Sequence, residues 1–113
     1  MRIFLLGGLA LLLAACSSKP GDTAHLTLNN PVWDRVNVEI VITKRADCDS
    51  REEGFIDSKQ LVMRKNGVEV IDIPNGATLC WRRDRNPSSP SAGVWTGWTR
   101  ASMPPGQSAD TNL

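Results

Sequence analysis

The segment Arg35 to Thr43 constrains this chain more than any other, because it alternates with a period of two. Val36, Val38, Ile40 and Ile42 fall on one side of an extended backbone, with Asn37, Glu39, Val41 and Thr43 on the other. Successive strand side chains point to opposite faces, so the first set must be core. Similar, shorter runs follow along the chain. His25-Leu26-Thr27-Leu28 reads as a strand stopped by Asn29-Asn30-Pro31, and Phe55-Ile56 and Gln60-Leu61-Val62-Met63 give weaker strand signals. Asn66-Gly67 lies between strand-like runs at 61–64 and 68–73, which predicts a tight hairpin turn. Pro74-Asn75-Gly76 predicts another turn before Thr78-Leu79-Cys80-Trp81-Arg82, where Leu79 and Trp81 share a face and Cys80 points the other way. Residues 86–91 are a long turn of Asn, Pro and Ser, and 93–101 is expected to be the last strand. Residues 103–113 have little apolar content and are expected to be a disordered tail.

Short strands at turn spacings of roughly ten residues, without a helical period, predict an all-β chain. The expected architecture is a small antiparallel β-sandwich of six or seven short strands over 24–102, with a small barrel as the other closed solution. The alternating strand Val36 to Ile42, the Asn29-Asn30-Pro31 turn before it and the Cys48 and Cys80 pair resemble the immunoglobulin-like β-sandwich domains of bacterial envelope lipoproteins. The antibody-domain core is not expected with them, because Trp81 directly follows its cysteine instead of lying between the two.

The first residues concern location. Met1-Arg2, the apolar run 3–13 and the small residues before Cys16 form a secretory signal too short for a comfortable membrane span. Leu13-Ala14-Ala15-Cys16 resembles a bacterial lipobox, which implies a signal peptide over 1–15, diacylglycerol and an N-acyl chain (palmitate) on Cys16, and no other cofactor. Each acyl chain contributes about 0.8 kcal/mol per buried methylene, so two or three chains anchor a protein durably. Residues 16–23 would be a flexible lipidated tether, since Ser17-Ser18-Lys19-Pro20-Gly21-Asp22 is polar and rich in turn formers. In lipoproteins of two-membrane bacteria, Asp after the cysteine is the usual inner-membrane retention signal. Here that residue is Ser17, which implies the inner leaflet of the outer membrane, facing the periplasm.

Of the three cysteines, lipidation of Cys16 leaves Cys48 and Cys80, which in an oxidising compartment predict one disulfide. If Leu79 and Trp81 are core, that bridge lies across the outer surface and pins the charged loop around Cys48. The signal carries one of the 13 basic residues and none of the 12 acidic ones, so the remaining chain is balanced in charge. Such a balance argues against a nucleic-acid partner.

The aromatic residues are unusual in kind. Tyrosine is absent, four tryptophans are present, and Trp95-Thr96-Gly97-Trp98 sets two indoles three residues apart. On a regular strand they would point to opposite faces, unless Gly97 marks a bulge that brings both to one side. Arg82, Arg83, Arg85 and Arg100 lie around them. With Trp95 and Trp98 they form a candidate binding face, because guanidinium groups stack on indoles and hold carboxylate or phosphate bidentately. The alternative role for the same residues is structural, with indoles filling a small core and arginine stems coating it.

Catalysis finds little support. His25 is the only histidine and has no nucleophile assigned to it, and neither Asp47-Cys48-Asp49 nor Glu52-Glu53 has a recognised metal-ligand spacing. The expectation is a membrane-anchored lipoprotein with no enzymatic activity and no metal. Its role would be structural or accessory, through interaction with another envelope protein. The second expectation is a binding module for an envelope glycan or anionic lipid headgroup through the Trp/Arg face.

Overall fold

The computed structural model of the chain describes residues 23–89 and 93–113. The expected signal peptide, Cys16 and all of the expected tether except Thr23 lie outside the described residues. Among the described residues, seven strands form two sheets. In chain order they are β1 (Thr23–Asn30), β2 (Arg35–Thr43), β3 (Phe55–Arg64), β4 (Gly67–Pro74), β5 (Thr78–Arg83), β6 (Thr99–Ala101) and β7 (Ser108–Asn112). One sheet has the order β4-β1-β7 and the other β3-β2-β5-β6. All neighbouring strands are antiparallel except β1 and β7, which run parallel.

The core is the space between the two sheets. Ala24, Leu26 and Leu28 of β1 and Ile71 and Ile73 of β4 enter it from one side. Val36, Val38 and Ile40 of β2, Met63 of β3, and Leu79 and Trp81 of β5 enter it from the other. The alternation read at Arg35–Thr43 is therefore the core pattern, and each fully buried aliphatic side chain contributes about 1.5–3 kcal/mol.

Asn66 does adopt the left-handed conformation, with φ of 64°, but the expected hairpin at Asn66-Gly67 does not form. β3 pairs with β2 and β4 pairs with β1, so this turn carries the chain from one sheet to the other. The apolar pattern requires this, since Met63 and Ile71 face the same core from opposite sheets. Gly67 is needed for close approach, because a Cβ there would lie 2.7 Å from the Arg64 carbonyl oxygen. Gly67→Ala is expected to destabilise the fold by at least about 1 kcal/mol, read from the urea midpoint.

The chain between β5 and β6 is also less regular than a strand over 93–101. Only Thr99–Ala101 joins the sheet, preceded by an isolated bridge between Asp84 and Trp95. The expected disordered tail over 103–113 is corrected as well: it contains β7, and the sandwich extends from 23 to 112. Backbone pairing holds β7, with the His25 amide donating to Gln107 and the Leu113 amide donating to Asn29, both at 2.9 Å. Met103 and Leu113 pack against the core. A strand held mainly by main-chain bonds needs no apolar face, so composition concealed it. Amides of 108–112 that point to β1 should exchange far more slowly than those of an unstructured tail. Unprotected exchange across that segment would contradict the pairing.

β3 is ten residues long although its centre is polar, because it is an edge strand. Lys59 lies opposite core residue Ile40 and so points inward, where its Nζ lies 2.8 Å from Glu69 Oε2 on edge strand β4. Inward charges on edge strands discourage pairing with other chains.

Candidate functional site: the outer face of the four-stranded sheet

The face opposite the core carries Asn37, Glu39, Val41 and Thr43 on β2 and Cys80 and Arg82 on β5, with Asp84 just beyond the end of β5. Val41 is paired with Cys80 and Glu39 with Arg82. The Cys48–Cys80 disulfide is present and lies on this face, as the alternation of β5 requires. It buries a second, smaller apolar cluster of Val41, Cys48 and Cys80, with Phe55 and Trp98 against it. This cluster explains why Val41 is fully buried on a face that would otherwise be solvated.

Trp95 and Trp98 lie on one side, the arrangement that a break at Gly97 permits. Both approach Arg82, whose guanidinium carbon is 5.2 Å from the Trp95 ring and 4.1 Å from the Trp98 ring. Arg82 Nε and Nη2 donate to Glu39 Oε1 at 2.8 and 2.6 Å. The Glu39 side chain is 12% exposed, so this pair is largely shielded from water. Each cation–π contact contributes about 0.5–2 kcal/mol, more when desolvated. Trp98 Nε1 donates to Asp49 Oδ1 at 3.2 Å, which ties the indole to the Cys48 loop.

The other arginines divide between different tasks. Arg100 Nη1 donates to the Ala46 carbonyl and lies 3.3 Å from Cys48 Sγ, so it clasps the disulfide loop. Arg85 Nη2 donates to the Trp95 carbonyl at 3.2 Å. Arg83 points to the core side of β5, where its guanidinium carbon stacks 4.3 Å from the Trp33 ring and its Nη1 donates to the Asp84 carbonyl at 2.7 Å. Arg82, Arg100, Trp95 and Trp98 therefore share the outer face, Arg85 reaches only the Trp95 main chain, and Arg83 belongs with Trp33 at one end of the sandwich. All three of these indoles are half-buried, and Trp81 is core.

Two residues outside the expected binding face complete this arrangement. Glu39 is the anion of the Trp–Arg–Trp stack, and its only signal was its place on the non-core side of the best strand. Buried Asp84 accepts from the Asn37 amide and side chain at 2.7 and 2.9 Å, fixing the end of β5 to β2. His25 Nδ1 lies 2.7 Å from Asp72 Oδ1 on the exposed face of the other sheet. Among the described residues, no group of three or more His, Cys, Asp or Glu side chains is placed to hold a metal ion.

Chemically, the outer face is an aromatic and cationic surface; Val62, 44% exposed, lies on the same face across β2, and Val94, 41% exposed, precedes Trp95 in the chain. Its guanidinium groups are already engaged, so it offers shape and indole edges more than free charge. No protein-family model, curated protein or solved structure matches this chain.

Proposed function

We propose that the protein is an envelope lipoprotein, anchored through Cys16 in the inner leaflet of the outer membrane, whose periplasmic sandwich is an accessory subunit that docks on another envelope protein. The lipobox-like Leu13-Ala14-Ala15-Cys16 supports the anchor. The observation that carries the docking role is the Trp95–Arg82–Trp98 stack braced by Glu39, on a face that also exposes Val62. Indoles and guanidinium groups held rigid lose little entropy on binding, and Trp and Arg are over-represented among interface hot spots.

Photo-crosslinking in the native envelope tests this reading, with probes at Val62 and Val94 and a control at Val68 on the opposite sheet. One dominant protein adduct from the first two sites and none from Val68 is the expected result. Adducts no stronger than the control would remove the docking role. The anchor is tested separately: Cys16→Ser should abolish palmitate labelling and release the protein from the membrane fraction, and unchanged labelling would refute it.

A further inference from the structure

The two ends of the sandwich differ in chemistry. Thr23 begins β1 at one end, and eight strand residues carry the chain roughly 25 Å to Asn30 at the other. Asn30 is fully buried there, and its Oδ1 accepts from the Trp33 amide at 3.1 Å while its Nδ2 donates to the Trp33 carbonyl at 2.8 Å. Trp33 is therefore presented by a fixed turn at the end far from the tether. A cleft beside it, about 290 Å³, is lined by Trp33, Asp34, Arg35, Pro87 and Ser88. Arg83 stacks on the same indole.

The surrounding charge is mainly positive, although Asp34 lines the cleft itself. Arg35 lies directly opposite Arg64 in the β2–β3 pairing, and Lys65 follows, its amide bonded to the Asp34 carbonyl. Like charges opposed across a strand pair are unfavourable without a counter-charge. Among the described residues, Arg35, Arg64 and Lys65 form no ion pair. Nearby Asp84 is buried and committed to Asn37.

From this geometry we infer that the Trp33 cleft is a binding site for an acidic saccharide. The negative face of an indole accepts the polarised C–H bonds of a pyranose ring. Asp34 and Ser88 offer oxygen atoms to sugar hydroxyls, and Arg35 and Arg64 hold the carboxylate or phosphate of the sugar. The cleft has room for about one ring. If the lipoprotein reading holds, the site faces away from the membrane; binding itself does not depend on the anchor or on the partner proposed for the outer face.

The test uses the full-length chain in neutral detergent micelles, with tryptophan emission and calorimetry as readouts. The probes are a hyaluronan tetrasaccharide, neutral maltotetraose, inorganic phosphate and phosphatidylglycerol vesicles. The hyaluronan tetrasaccharide should bind, and maltotetraose should bind at least about tenfold more weakly. Trp33→Ala should weaken binding roughly tenfold, with smaller losses for Arg35→Gln and Arg64→Gln, which are exposed and leave folding intact. Lys44→Gln, at the tethered end, should leave binding unchanged. Equal binding of maltotetraose, phosphate binding as tightly as the tetrasaccharide, binding to vesicles alone, or unaltered binding by the Arg35 and Arg64 variants would each overturn the assignment. Hyaluronan and glucose 6-phosphate in parallel distinguish a carboxylate from a phosphate as the anion.

Discussion

Loss of the Cys48–Cys80 bridge is expected to lower stability by about 3–4 kcal/mol, from the chain entropy released by opening a loop of this length. The two cysteines are 32 residues apart, and both are buried. In a domain with about 5–15 kcal/mol of total stability, that loss is a large share. The bridge also cross-links the Cys48 loop to the middle of β5, so its removal should act locally as well. Trp98 packs on the bridge and bonds to Asp49 in that loop. The Cys48→Ala/Cys80→Ala variant should melt roughly 15–25 °C lower, and its tryptophan emission should shift to the red before global unfolding. A melting temperature within a few degrees of the parent would show that Arg100 and the apolar cluster hold the loop without the bridge.

Arg82→Leu is expected to cost about 2–4 kcal/mol, because it strands the Glu39 carboxylate in a site only 12% exposed. It also removes the cation from between Trp95 and Trp98. Charge and packing effects separate in a double-mutant cycle. Glu39→Leu alone leaves Arg82 stacked on its indoles and should cost less, while Arg82→Leu/Glu39→Leu should recover much of the Arg82→Leu loss. Denaturant midpoints read all three. If Arg82→Leu costs less than about 1 kcal/mol, the stack behaves as an exposed ion pair and does not brace the face.

Several parts of this architecture were legible residue by residue. The alternation at Val36, Val38 and Ile40 identified core positions because strand geometry fixes which side chains share a face. The same parity at Leu79, Cys80 and Trp81 placed the disulfide on the outer face, where it lies. The Trp/Arg cluster was legible as a composition, but its division was not. Arg82 and Arg83 are adjacent in sequence, yet one meets Trp95 and Trp98 and the other meets Trp33.

The sequence by itself determined an all-β chain, its principal core residues and its cysteine pair, since these follow from local period and residue chemistry. Tertiary structure decided which strands pair, because pairing depends on partners distant in the chain. It turned Asn66-Gly67 into a crossing between sheets and made a strand of polar residues 108–112 by main-chain bonds to β1. It also matched Glu39 with Arg82, 43 residues apart, and set Arg35 against Arg64 beside Trp33. Register fixes such neighbours, and no local sequence pattern encodes register between strands so far apart.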